Sequence, residues 1–303
     1  MAKSPFTGIV AMQVTPFRPD GTLDLDGLAA TVSWQTGLGL TSISALGMAG
    51  EFYKLSTDET EAVISTVVEA SGHLRTLVGV SAASGEVAAR LARHAERVGA
   101  DGLLMLPPFG VKPSVDGMIE YYRTVATASD LPIMVQDGSD ELRAVIPFDA
   151  LVRLCREVPA IGFIKVEDIA PGPKITRLAE VLGNDVILLC GSGGLDMLEA
   201  YDRGAVGCIS GVATADLFAE LDATYHDDRD EADRRYLELL PLIQYQCQST
   251  ELFVASEKRI LANAGLIASA AVRTPGYALD DVQAATLDRL HALAAAGRRE
   301  VQG

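Results

Sequence analysis

The residue best suited to chemistry in this sequence is Lys165, set in the run Ile161-Gly-Phe-Ile-Lys-Val166. A lysine inside an apolar segment is costly unless it has a partner or a task. Burial favours the neutral form of an amine, and a neutral amine can attack a ketone to form an imine. A lysine that snorkels to the end of its segment, or that pairs with Glu167 or Asp168, would leave the same pattern. A second signal is Gly47-Met-Ala-Gly-Glu51. Two glycines around a tight turn let backbone N–H groups face an anion, although an ordinary strand-to-helix turn reads the same way. A third is Gln136-Asp137, two polar groups that end an apolar run and could bind substrate or cap the next segment. Gly191-Ser192-Gly193-Gly194 could clasp phosphate, but it lacks the Lys-Ser/Thr of a P-loop. Phe109, Tyr121 and Tyr122 read as core residues. Cys155, Cys190, Cys208 and Cys247 show no CxxC spacing, and His73, His94, His226 and His291 contain no HxxxH pair. No metal site is expected from them.

These residues sit in a regular alternation. Short apolar runs recur at Gly8–Val14, Thr41–Leu46, Leu74–Val80, Gly102–Leu106, Pro132–Gln136, Ile161–Val166, Val186–Cys190 and Val206–Ser210. Apolar strands without alternation imply burial on both faces, as in a parallel sheet. Between them lie helical patterns over Asp24–Thr36, Ser56–Ala70, Glu86–Val98, Ser114–Ala128, Pro147–Glu157, Ile175–Leu182 and Leu195–Arg203. Ser56 with Glu59 reads as a capping box, and Pro147 as a proline near the first turn, where its missing N–H costs nothing. Eight such units within residues 1–220 predict an α/β fold, a TIM (β/α)8 barrel. A doubly wound open sheet is the alternative, weakened because no GxGxxG follows the first strand. Residues 221–303 read as helices packed on the barrel in a single structural unit. The expectation is helix throughout from about Ala213: a long segment over Asp230–Asn263 broken near Pro241, a closing helix over Leu279–Arg298, and a frayed tail at 298–303. Active sites in such barrels lie at the C-terminal ends of the strands, where Lys165, Gln136 and the loops at 47–51 and 191–194 fall.

Composition narrows the function classes. Lys plus Arg is 25 against 41 Asp plus Glu, a formal charge of −16, so a nucleic-acid partner is disfavoured. The 49% hydrophobic content excludes a disordered chain. No run approaches 18 apolar residues, so no membrane span is expected. The first residues lack a signal-peptide pattern, and the scattered cysteines suit buried thiols in a reducing compartment. A cytoplasmic protein is expected.

Four motifs occur in a telling order: GlyMetAlaGlyGlu at 47–51, ProProPheGlyValLysPro at 107–113, GlyPheIleLys at 162–165 and GlyCysIleSer at 207–210. Together they resemble the dihydrodipicolinate synthase / N-acetylneuraminate lyase superfamily of class I, Schiff-base-forming lyases, over nearly the whole chain. The resemblance implies that Lys165 forms an imine with a 2-oxo acid, without metal or other cofactor. It also implies that Gln136 takes part in catalysis and that Gly47, Met48, Ala49, Gly50, Gly191, Ile209 and Ser210 border the substrate. Homodimers or homotetramers follow from it as well.

The chain departs from the family pattern in ways that bear on the reaction. The usual Gly-Thr-Thr-Gly-Glu loop has Met48 and Ala49 for both threonines, so carboxylate binding falls to backbone N–H groups or other side chains. The strand-five tyrosine aligns with Gln136, whose amide cannot carry a proton as an acid or base. A second relay tyrosine aligns with Gly110. The arginine that follows strand five in the dipicolinate synthases has no match, Arg143 being displaced by two positions. These losses argue against the synthase reaction. IleMetValGlnAsp at 133–137 and LeuProLeuIle at 240–243 look like the 2-keto-3-deoxy-arabonate dehydratases. GlyGluPheTyrLysLeuSer at 50–56 is similar to the 5-dehydro-4-deoxyglucarate dehydratases. The expected function is therefore dehydration of a 2-keto-3-deoxy sugar acid through a Lys165 imine. The proton carrier is open, with Ser210, Tyr53 and Glu167 as minor candidates. Alternatives are a pyruvate-dependent aldolase, a 4-hydroxy-tetrahydrodipicolinate synthase-like condensing enzyme, and a ligand-binding barrel without catalysis.

Overall fold

A computed structural model describes residues 6–110, 113–138 and 145–296. Arg143, Val111 and Lys112 of the 107–113 motif, and the tail at 298–303 lie outside the described residues.

Eight parallel strands close into a barrel in sequence order. They are β1 (Gly8–Met12), β2 (Ser42–Ala45), β3 (Arg75–Gly79), β4 (Gly102–Met105), β5 (Ile133–Asp137), β6 (Ile161–Val166), β7 (Ile187–Cys190) and β8 (Gly207–Gly211). β8 returns to pair with β1, so the sheet has no free edge. Each strand is followed by a helix: α1 (Leu25–Gln35), α2 (Thr57–Ala70), α3 (Gly85–Val98), α4 (Val115–Ala128), α5 (Phe148–Glu157), α6 (Gly172–Leu182), α7 (Met197–Asp202) and α8 (Ala215–Asp227). α9 (Arg229–Gln246), α10 (Thr250–Asn263) and α11 (Asp281–Ala296) follow. The expected TIM barrel with a helical C-terminus is what forms. Position 220, expected as the end of the barrel portion, falls within α8.

Strand alternation sorts the apolar residues into two cores. Val10, Met12, Leu77, Leu104, Met134, Phe163, Leu189 and Ile209 point inward and fill the barrel with Phe6. Ile9, Ala11, Ile43, Val78, Leu103, Val135 and Ile164 point outward, under the helices. Phe6 packs edge-on to Phe163 at 5.3 Å. A Cβ on Gly102 would lie 2.7 Å from the Phe6 ring, so the plug depends on that glycine. Phe163 and Lys165 share the inward side of β6, which turns the amine toward the barrel interior.

Helix starts follow the sequence signals. Ser56 and Glu59 form the capping box of α2, and Asp24, Ser84 and Ser114 cap α1, α3 and α4. Pro147 stands at the N-cap of α5, beside the first turn. Three expectations are corrected. α6 starts at Gly172, three residues before the expected Ile175. Pro241 does not break α9, which runs through it. The carbonyl that Pro241 orphans belongs to Leu237, which is 65% exposed, so water can satisfy it. The break comes instead at 247–249, where Ser249 caps α10. Residues 264–280 are not helical as expected. Gly265 takes a left-handed φ of +71° just past α10, a conformation that ends helices.

Candidate active site

Lys165 is 5% exposed and stands at the C-terminal end of β6. Its register partner across the barrel wall is Gln136 of β5. Two residues on from Lys165 is Glu167, on the same side of the chain by strand alternation. Glu167 N–H donates to the Asp137 carbonyl at 2.8 Å, extending the β5–β6 ladder by one step. The three side chains meet. Lys165 Nζ lies 2.7 Å from Glu167 Oε1. Gln136 Nε2 donates to Glu167 Oε2 at 2.5 Å. The Ser192 N–H donates to Glu167 Oε1 at 2.9 Å. Glu167 is therefore the hub of the site, where the sequence made it a minor candidate. The Lys-x-Glu spacing on a strand was the signal that could have promoted it, because residues i and i+2 share a face.

A cavity of about 230 Å³ opens beside the amine. Lys165, Gln136, Met48, Ala49, Ile209 and Ser210 line it. Gly47, Gly50 and Gly191 are not among the lining residues; Gly47 and Gly191 make room for other side chains, and Gly50 closes a turn. A Cβ on Gly47 would lie 2.5 Å from Met12 Cε, and one on Gly191 would lie 2.1 Å from Glu167 Cγ. Gly50 closes the turn, donating to the Gly47 carbonyl at 2.9 Å, while its own carbonyl accepts from Thr15 Oγ1 at 2.6 Å. The N–H groups of Met48 and Ala49 have no partner among the described residues. Gln136 Oε1 is buried and likewise unpartnered. Its identity as oxygen is fixed by the other amide atom, which must be the donor to Glu167. Ser210 Oγ makes only a 3.3 Å bond to the Gly211 carbonyl.

The far wall comes from the C-terminal helices: Cys247, Ser249, Thr250 and Phe253, between the end of α9 and the first turn of α10. Burial pushes the Cys247 thiol up to about 12, so it stays protonated. The wall is tied to the barrel by buried charge. Glu51, in a left-handed backbone at φ +52°, accepts from Lys258 Nζ and, at 2.9 Å, from Lys54 Nζ. Burial pulls the Lys258 amine down to about 8, opposed by Glu51. Tyr53 belongs to this cluster, donating to Glu251 at 2.9 Å, and does not line the cavity. Glu257 accepts from the Ala213 N–H at 2.7 Å and from Gln246 at 2.9 Å, beneath the end of β8. Tyr121 and Tyr122 are core residues, as read. Among the described residues no His, Cys, Asp and Glu side chains gather as a metal site requires.

An amine and an amide that both contact one carboxylate beside a cavity can form and process an imine. Comparison with known proteins agrees. The model of the dihydrodipicolinate synthetase family matches residues 5–293. The 4-hydroxy-tetrahydrodipicolinate synthase of Chelativorans sp. (strain BNC1) is 33% identical over 208 residues, 68% of this chain and 70% of that one. The crystal structure of dihydrodipicolinate synthase from Rhodopseudomonas palustris superposes with a TM-score of 0.87 at 29% identity, over 95% of this chain and 98% of that one. A prophage protein of the same family from E. coli K12, solved in complex with pyruvate, gives 0.88 at 25% identity, over 96% and 99%. The chain belongs to the dihydrodipicolinate synthetase family, whose members are class I lyases that carry substrate as a Schiff base on a lysine and need no external cofactor.

Proposed function

We propose that this protein dehydrates a 2-keto-3-deoxy sugar acid, such as 2-keto-3-deoxy-arabonate, through an imine on Lys165. The observation that carries the reading is the Glu167 carboxylate 2.7 Å from the Lys165 amine, in a family whose strand-five tyrosine is here Gln136. A carboxylate can move protons where an amide cannot. The amine attacks the substrate's C2 carbonyl and water leaves, giving an iminium that draws electrons from C3. Glu167 takes a C3 proton and an enamine forms. The enamine electrons expel the C4 hydroxyl, which takes the proton back from Glu167 and departs as water. Addition of water to C2 then frees the product and restores the amine.

Recognition follows the unpartnered polar atoms. The Met48 and Ala49 N–H groups suit the substrate carboxylate, in place of the missing threonine hydroxyls. Gln136 Oε1 is an open acceptor, so it favours a substrate hydroxyl, which can donate, over a second carboxylate, which cannot. Ile209 and Ser210 border the same space. Assembly as a homodimer or homotetramer is part of the reading, and sedimentation measures it.

The test is product analysis by NMR with 2-keto-3-deoxy pentonates and hexonates. Loss of the C4 hydroxyl without pyruvate release supports the reading. Pyruvate plus an aldehyde would make the protein an aldolase. Condensation of pyruvate with aspartate semialdehyde would make it a synthase, the activity in the name of the Chelativorans relative. No turnover with any of these would favour a binding barrel.

A further inference from the structure

Outside the cavity a second lysine bridges two carboxylates. Lys174, in the first turn of α6, has its Nζ 2.6 Å from Asp137 Oδ2 and 3.2 Å from Asp168 Oδ2. It also donates to the Ile146 carbonyl at 3.3 Å. Asp137 is fully buried, and its other oxygen accepts from the Ile146 N–H at 3.0 Å. Burial pushes the Asp137 carboxyl above its usual range, and Lys174 opposes that shift.

The positions of these carboxylates matter more than their charge. Asp137 directly follows Gln136, and Asp168 directly follows Glu167. The two backbones already touch through the Glu167 N–H and the Asp137 carbonyl. Gly138 turns away over them at φ +107°, where a Cβ would lie 2.7 Å from the Glu167 carbonyl carbon. Lys174 thus binds the residue after each active-site side chain and the point where the chain returns after β5. A largely buried ion pair is a poor source of net stability, so its use lies in the geometry it fixes.

We propose that Lys174 is a positioning residue: by bridging Asp137 and Asp168 it holds the strand ends so that Gln136 donates to Glu167 and the Glu167 carboxylate faces the Lys165 amine. The proposal rests on the reading of Glu167 as proton carrier. Lys174 touches neither the cavity nor the reacting atoms, so it acts through Asp137 and Asp168. Displacing a catalytic group by about 1 Å can cost on the order of a hundredfold in rate.

The test compares Lys174→Met, Lys174→Arg and Asp168→Asn in the full chain. Lys174→Met should lower kcat about ten- to a hundredfold, with KM within about twofold and Lys165 still labelled by borohydride with pyruvate. Lys174→Arg should recover most of the loss, because a guanidinium can hold both carboxylates. Asp168→Asn removes one arm and should lower kcat about three- to tenfold at unchanged KM. It decides the matter if Lys174→Met does not fold. Wild-type kcat in Lys174→Met or in Asp168→Asn overturns the proposal, and so does a loss that Arg leaves unrestored. Failure of the wild-type protein to be labelled at Lys165 would instead overturn the catalytic reading, so the two failures are told apart.

Discussion

Gly191→Ala tests whether Glu167 does the chemistry assigned to it, without touching a titratable group. Gly191 has φ −117°, so what forbids a side chain is space. An added Cβ would lie 2.1 Å from Glu167 Cγ and 2.6 Å from its Cδ and Oε1, well inside the 3.4 Å at which ordinary contact begins. Glu167 must swing away, which breaks its contacts with Lys165, Gln136 and the Ser192 N–H. A positioned proton carrier contributes about 10²–10⁴ in rate, or roughly 3–5 kcal/mol of barrier. Overpacking by one methyl costs about 1–3 kcal/mol of stability, at roughly 2–4 °C per kcal/mol for a large domain. The variant should therefore stay folded at 25 °C while its kcat for 2-keto-3-deoxy-arabonate falls at least about hundredfold. Rates come from NMR time courses, and folding from circular dichroism. A folded Gly191→Ala protein with kcat within about threefold of wild type would refute the reasoning.

Other outcomes follow from single contacts. Glu167→Gln should cut kcat by about 10²–10⁴ while borohydride with pyruvate still labels Lys165; normal turnover would remove Glu167 from the mechanism. Burial pushes the Glu257 carboxyl up to about 7 from an ordinary 4.5. Between those values only the native state holds the proton, so this group's contribution is full below pH 4.5 and lost as pH rises through about 7. Thermal melts from pH 4.5 to 8 should show Glu257→Gln with a flatter decline than wild type, and parallel curves would contradict that account. Ser56→Ala removes the side-chain half of the α2 capping box and should cost about 1 kcal/mol in urea unfolding with kcat unchanged. No shift of the urea midpoint would mean the box is idle.

What the sequence showed and what it hid have physical causes. The barrel was legible because strands buried on both faces read as apolar runs, and their spacing left room for one helix each. Lys165 stood out as a charge in such a run. Glu167 did not, because beyond the last apolar residue a carboxylate looks like any solvated loop residue; only strand alternation puts it beside the amine. Gly47, Gly50 and Gly191 resembled substrate contacts, yet two of them are spaces kept for Met12 and Glu167 and the third closes a turn. Such voids depend on residues distant in sequence. The far wall at Cys247, Ser249, Thr250 and Phe253 was invisible for the same reason. Pro241 misled because a proline in a helix is expensive in the interior and far less so on a wet face.

The most direct test of the central claim is borohydride reduction of the wild-type protein with pyruvate, followed by peptide mass mapping. The account predicts one covalent adduct, on the peptide bearing Lys165, absent without pyruvate and absent in Lys165→Ala. A protein that turns over its 2-oxo acid while Lys165 stays unmodified, or that carries the adduct on another lysine, would contradict it.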